Sequence, residues 1–183
     1  MNLLFIGPPG AGKGTQAMRV AEKLDIPHIS TGEMFRHHVS EGTDFGRQVD
    51  EIMKSGGYVP DEITVGMLAS RLEEPDAKKG FILDGFPRTA PQVKALDDLL
   101  GEDGLDAVVV LDVDEEALVG RLVARGRDDD NEETIRNRFQ MYHGQTQPVL
   151  DIYNDRDLVI SVDGMGDIDV VTDRLLSALP GAR

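Results

Sequence analysis

The chain contains no cysteine. A disulfide framework and a thiolate zinc site are therefore excluded, structural zinc is not expected, and the pattern fits a cytoplasmic protein. Nor does any apolar stretch approach the roughly 20 residues needed to cross a bilayer, so a soluble protein is expected. The N-terminus has no basic start and no cleavage site ahead of its short apolar run, and secretion is not expected. Positive charge is scarce: 19 Lys and Arg stand against 34 Asp and Glu, leaving a net charge of −15. Such a surface disfavours nucleic acid and acidic membranes as partners, and any phosphate must be held by locally gathered cations. Repeats, linkers and low-complexity tracts are absent too; Asp128-Asp129-Asp130 is only a short charge run. With 183 residues, 40% of them hydrophobic, the chain suffices for one domain with a full core and is too short for two.

Glycine is plentiful where it matters most. Residues 7 to 17 read Gly-Pro-Pro-Gly-Ala-Gly-Lys-Gly-Thr-Gln-Ala, directly after the apolar run Leu3-Leu4-Phe5-Ile6, which has the length of a buried strand. Gly7, Gly10, Gly12 and Gly14 carry no Cβ, so consecutive N–H groups can turn inward on a phosphate chain while Lys13 supplies a point charge. Ala17, Val20, Ala21 and Leu24 then fall at helical spacing, so the loop feeds a helix whose positive dipole end faces the same anion. The segment is read as a nucleotide-binding loop. It departs from the general pattern in having Gly14 directly after the lysine, with Thr15 one place later.

Further along, His28-Ile29-Ser30 reads as a short strand, and a helix opens near Thr31, the expected cap. Residues 32 to 59 are polar, glycine-dotted and weakly periodic, which suggests a small mobile helical insertion ending at Gly56-Gly57. Pro60-Asp61 opens a helix with Val65, Leu68, Ala69 and Leu72 on one face. Strands are expected at 80 to 84, 107 to 113 and 158 to 162, each followed by a helix. Asp114 begins one helix with Leu118 and Leu122 on a face, and Asp130 or Asn131 the next, with Ile135, Phe139 and Tyr142. A final helix carries Ile168, Val171, Leu175 and Leu179. Strands alternating with helices imply a parallel sheet covered on both faces.

Asp84-Gly85-Phe86-Pro87-Arg88-Thr89 places an acid at a strand's C-terminal end, where ligands sit in open α/β sheets, and an arginine just beyond. Asp84 is expected to hold Mg²⁺ through water, and Arg88 to grip a phosphate bidentately, which lysine cannot do. Arg121, Arg125, Arg127, Arg136 and Arg138 crowd into eighteen residues. Alone they would read as a solvated face neutralised by Asp129, Glu132 and Glu133. Beside a phosphate loop they read as anion ligands. A base motif of the His-Arg-Asp kind is missing, as expected if the phosphoryl acceptor is itself a phosphate, whose second ionisation lies near pH 6. His28, His37, His38 and His143 are expected to be structural or surface residues.

Gly-Lys-Gly-Thr, Ser30 to Arg36, the Gly-Phe-Pro-Arg segment and Gly126 to Thr134 together resemble the adenylate kinase family along nearly the whole chain. The resemblance implies a P-loop α/β/α fold with a five-stranded parallel sheet, a small insertion at about 30–59 that binds the monophosphate, and a short lid at about 126–132. It implies transfer of a phosphoryl group between ATP and AMP, with ADP as product and Mg²⁺ accompanying ATP, by a monomer without zinc. Gly10, Ala11, Gly12, Lys13, Gly14 and Thr15 would hold ATP, with Arg121 and Gly166 beside its adenine and Arg125 on its phosphates. Thr31, Arg36 and Gln92 would hold AMP, assisted by Gly57, Tyr58 and Val59 and by Gly85, Phe86, Pro87 and Arg88. Arg127 and Arg138 would contact AMP or the transferring group. The catalytic set is thus Lys13, Arg36, Arg88, Arg125, Arg127 and Arg138. A pyrimidine monophosphate kinase shares the loop, but Thr31 and Thr89 argue for adenine; a nucleotide-dependent switch would not need so many arginines. Finally, 13 of the basic residues are Arg and 6 are Lys. This balance on an acidic chain resembles proteins adapted to high salt, although an acidic surface also simply aids solubility.

Overall fold

Leu3, Leu4, Phe5 and Ile6 are all buried, and they serve two cores at once. Successive side chains of a strand point to opposite faces. From β1 (Asn2–Ile6), Leu3 and Phe5 pack with Ala17, Val20 and Ala21 of α1 (Lys13–Leu24), whereas Leu4 and Ile6 join a second cluster on the far face. A strand apolar on both faces belongs in the middle of a covered parallel sheet. That is its position: β1 lies between β3 (Phe81–Asp84) and β4 (Ala107–Asp112), with β2 (His28–Ser30) and β5 (Val159–Asp163) at the edges, in the order β2-β3-β1-β4-β5. All four pairings are parallel. The computed structural model describes residues 1–101, 104–127 and 130–181.

One face is covered by α1 and the C-terminal α9 (Ile168–Ala178), through Val171 and Leu175. The other is covered by α4 (Asp61–Leu72), α5 (Ala90–Leu100) and α8 (Gln147–Asn154), through Leu68, Val93, Leu96, Val149 and Tyr153. Between them α6 (Glu115–Arg125) and α7 (Glu132–Met141) follow β4. After β2 the chain forms α2 (Thr31–Ser40) and α3 (Asp44–Ser55), which share with Val59 a separate small apolar cluster of Phe35 and Val49.

Several sequence expectations change. The cap of α2 is Ser30, whose Oγ accepts from Glu33 N–H at 3.4 Å, because the helix begins at Thr31 itself. Segment 32 to 59 is more regular than its composition suggests. In α3, Val49 is buried, with Ile52 and Met53 packed around the same small cluster, so one face of the helix is apolar while Glu51 and Lys54 are exposed. Ile168 is 52% exposed rather than buried. Tyr142 was expected on the helix that precedes it and residues 143 to 154 carried no expected element, yet a π-helical turn at Tyr142–Thr146 runs into α8, whose Pro148 falls in the first turn, where the missing N–H costs little.

Candidate active site

Between β1 and α1 the loop packs against α6 so closely that only glycine fits at its apex. Gly10 has φ +82°, and a Cβ there would meet the Leu118 carbonyl oxygen at 2.9 Å and Leu122 Cγ at 3.0 Å. The helix it feeds is left open at its start. Helices α2, α3, α5 and α7 each have a side-chain cap, but the N-cap of α1 is Gly12, which offers none, and the first turn carries no acid. Its first N–H groups and its dipole are therefore available to an anion. Lys13 folds back over this loop, its Nζ donating to the Gly7 carbonyl at 2.8 Å and the Pro8 carbonyl at 2.9 Å. The side chain is half-buried. Burial pushes the Lys13 ammonium down to about 8; Arg88 and Arg125 add to this, and Asp84 opposes it.

Across the C-terminal end of the sheet a second wall is built from β2, α2 and the turn after β3. Gly85 has φ +84°, and a Cβ there would stand 2.8 Å from Thr31 Oγ1. Its carbonyl instead accepts from Thr31 Oγ1 at 3.0 Å and from Arg88 Nε at 2.7 Å, tying α2 to the turn that carries Arg88. The Phe86–Pro87 peptide within that turn is cis. The Arg88 guanidinium lies 5.0 Å from the Tyr58 ring centroid, a cation–π distance. Tyr58 Oη is hydrogen-bonded to Thr146 Oγ1 at 2.7 Å, and Thr146 Oγ1 donates to the Arg88 carbonyl at 3.0 Å. Gln92 is buried: its Oε1 accepts the Arg88 N–H at 2.7 Å and its Nε2 donates to Asp61 at 2.6 Å, which leaves one amide N–H uncommitted.

These two walls enclose one cavity of about 450 Å³, within the size range of small-molecule sites. Arg36, Arg88, Arg121, Arg125, Arg127 and Arg138 all line it. Burial first, and then mutual repulsion, push the guanidinium values of Arg36, Arg127 and Arg138 down, Arg138 to about 10, which leaves Arg138 cationic at neutral pH. Asp130 answers this crowding. Its enclosed carboxylate accepts two hydrogen bonds from Arg125 and one from Arg138 at 3.0 Å, and takes the Arg127 N–H at 3.2 Å. Burial alone would raise the Asp130 carboxyl, but the Arg125 hydrogen bonds and nearby positive charge outweigh it and hold the group below the usual carboxylate range.

Most residues expected at the site line this cavity: the loop residues Gly10, Gly12, Lys13, Gly14 and Thr15, then Thr31, Gly57, Tyr58 and Val59, and Asp84 to Arg88 with Gln92. Ala11 instead points into the core, and Gly166 lies off the cavity, next to Met165, whose sulfur is 3.6 Å from Arg121 Nη2. Arg136 is exposed and paired with Glu132, apart from the other arginines. Asp128 and Asp129 lie outside the described residues. Sequence reasoning missed Phe35, Thr64, Tyr142 and Thr146, which line the cavity, and Asp130 as the arginines' counter-ion. The polar pattern of residues 142 to 146 carries no signal of a site.

A parallel sheet with a glycine loop at its central strand, an uncapped helix behind it and fixed arginines opposite defines a P-loop enzyme that handles phosphoryl groups. The family model for "Adenylate kinase" matches residues 5–158. An adenylate kinase of Nocardioides sp. (strain ATCC BAA-499 / JS614) is 52% identical over 185 aligned residues, covering 98% of this chain and 97% of that protein. One from Stenotrophomonas maltophilia (strain K279a) is 50% identical, covering 98% and 99%. That of Finegoldia magna is 43% identical across 212 aligned positions, covering 98% and 99%, and is therefore a longer protein. The chain belongs to the adenylate kinase family and is a phosphotransferase.

Kinases of this family act on Mg·ATP, and the residues here fit that ion. Among the described residues no group of three His, Asp or Glu side chains could ligate a metal by itself. Mg²⁺ in kinase sites needs no such cage, since it keeps waters and takes one or two carboxylates together with substrate phosphates. Among the described residues that line the cavity, Asp84 is the carboxylate at the end of a strand, next to the glycine loop. It is buried at the end of β3, and a Cβ on Gly14 would sit 3.5 Å from its Oδ2, so the glycine after Lys13 lets the carboxylate lie against the first turn of α1. Burial works against its ionisation, but His28, Lys13 and Arg88 outweigh burial and hold the carboxyl below the usual range. Among the described residues, moreover, no helix is long and apolar enough to cross a membrane.

Proposed function

We propose that the protein catalyses reversible transfer of the γ-phosphoryl group of Mg·ATP to AMP, giving two ADP, by in-line attack without a covalent intermediate. The observation that carries this reading is the single cavity in which the glycine loop and Lys13 face a second pocket lined by Thr31, Arg36, Tyr58, Arg88 and Gln92. Two nucleotides bound end to end would bring their phosphates together where Arg125, Arg127 and Arg138 converge. Gly10 to Thr15 would cradle the ATP phosphates, with Lys13 on the outer ones and Arg121 beside the base. Arg36 and Arg88 would fix the AMP phosphate, while Thr31 and the remaining N–H of Gln92 meet its adenine edge. Arg125, Arg127 and Arg138 would spread the charge of the transferring group, since this chemistry is mostly positioning and electrostatic stabilisation. Asp84 would hold the metal through water; when bound, Mg²⁺ neutralises charge on the phosphate oxygens.

Residues 30–59 would close over AMP and residues about 126–132 over ATP, excluding water that would otherwise hydrolyse ATP. The apolar cluster of Phe35, Val49 and Val59, against which Met67 of α4 also packs, would let that segment move as a unit. The absence of cysteine and the acidic surface suit a cytoplasmic monomer.

The test is ADP formation from Mg·ATP with AMP, CMP, UMP or GMP offered separately, beside a control without acceptor. Rapid ADP formation with AMP alone is expected. Preference for a pyrimidine would reassign the pocket around Thr31 and Gln92, and ADP without any acceptor would point to an ATPase.

A further inference from the structure

His28 was expected to be a structural or surface residue, and its surroundings say more. On β2, His28 is in register with Ile82 and Ser30 with Asp84, so by strand alternation the side chains of His28 and Asp84 emerge on one face of the sheet. That is the face covered by α1, where Ile82 joins the cluster around Ala17 and Val20. Both side chains are nearly enclosed, at 8% exposed for His28 and 12% for Asp84. His28 Nε2 is buried without a hydrogen-bond partner and stands 3.6 Å from Asp84 Oδ2, just beyond hydrogen-bond reach. A buried ring nitrogen left unpaired calls for an explanation, and here the nearest ionised group is the carboxylate of the phosphate site.

Asp84 is confined from the other side as well. Its Oδ2 lies against the first turn of α1 at Gly14. A shift of a few tenths of an ångström toward β2 would complete the bond from His28 and hold the carboxylate in one orientation beside the loop. In metal sites, a group that hydrogen-bonds a liganding side chain sets its orientation and tunes its affinity, and loss of such a partner typically costs about 10- to 100-fold.

We infer that His28 is a positioning residue of the phosphoryl-transfer site, its Nε2–H donating to Asp84 Oδ2 when a divalent cation and nucleotide bind, so that Asp84 presents a fixed oxygen to the hydrated cation. The inference rests on Asp84 being the metal-holding carboxylate. It requires a donor at that position and not an imidazole as such. Glutamine, which places an amide N–H at similar reach, therefore serves in its place, and leucine does not.

The experiment is Mn²⁺ binding to the enzyme·ADP complex, followed by electron paramagnetic resonance, with His28→Leu, His28→Gln and Asp84→Asn compared with the unaltered protein. His28→Leu is expected to weaken Mn²⁺ binding about tenfold and to raise the free Mg²⁺ needed for half-maximal turnover. His28→Gln should stay within about twofold of the unaltered protein. If His28→Leu melts at a lower temperature but binds Mn²⁺ normally, His28 is a packing residue and the inference falls, while Asp84 keeps its role provided Asp84→Asn binds Mn²⁺ weakly. If Asp84→Asn also binds normally, the reading of Asp84 itself is overturned. The unaltered protein gives an answer even if His28→Leu does not fold. With ¹⁵N-labelled histidine, adding Mg²⁺ to the ADP complex should shift the His28 Nε2 resonance, and an unmoved resonance would overturn the inference.

Discussion

Raising the pH from 7 to 9 should strip the proton from Lys13 in the free protein, because its ammonium is held down to about 8. A nucleotide polyphosphate would place several negative charges beside that nitrogen and restore the proton, so binding should take up protons from solution. With a free value of about 8, roughly half a proton is taken up per site at pH 8, about 0.9 at pH 9 and almost none at pH 6.5. Above pH 8, affinity for ADP should then fall about tenfold per pH unit. The phosphates contribute little there, since their second ionisation lies near pH 6 and is complete. The sign for stability also follows. The folded value lies below the ordinary 10.5, so between about pH 8 and 10.5 the unfolded chain binds more protons and the free protein gains stability as pH rises. Calorimetric titration with ADP at pH 8, in two buffers of different ionisation enthalpy, measures the uptake directly. Lys13→Met should abolish it. Zero uptake in the unaltered protein would refute the reasoning, since Lys13 would then already be protonated or would not meet the phosphates.

Other consequences are local. Asp130→Ala removes the shared partner of Arg125 and Arg138 and should destabilise the free protein by about 1–3 kcal/mol, and much less once ADP supplies anions in its place. Thermal melting with and without ADP measures both, and an equal loss in the two states would mean that nucleotide phosphates do not reach these arginines. Gly10→Ala should cost about 1–3 kcal/mol, since it combines a left-handed backbone with a 2.9 Å approach to the Leu118 carbonyl; an unchanged melting temperature would show that the loop can move away from α6. With a net charge of −15, salt adaptation predicts greater resistance to unfolding in molar salt than in dilute buffer. Equal stability in the two would leave the acidic surface as a matter of solubility.

What was readable in one dimension was whatever is built from consecutive residues. A phosphate loop is a run of neighbouring N–H groups between a strand and a helix, so glycines from Gly7 to Gly14 and the apolar residues on either side disclosed it directly. The same holds for the central strands, because a strand buried on both faces must be apolar throughout, as Leu3 to Ile6 and Ala107 to Leu111 are. Side chains that act across the fold were only partly legible. The sequence shows that arginines are numerous between 121 and 138, but Arg136 turns to solvent while Arg36 and Arg88, distant in sequence, join Arg125 and Arg138 at one cavity. Helix phase and sheet order decide that, and neither is written in spacing alone. The β2-β3-β1-β4-β5 order sets His28 beside Asp84. Likewise the turn at Tyr142–Thr146 brings Thr146 to Tyr58 and Arg88. Local backbone chemistry was thus determined by the sequence itself, whereas the partners of each charge depended on which strands and helices the tertiary structure made neighbours.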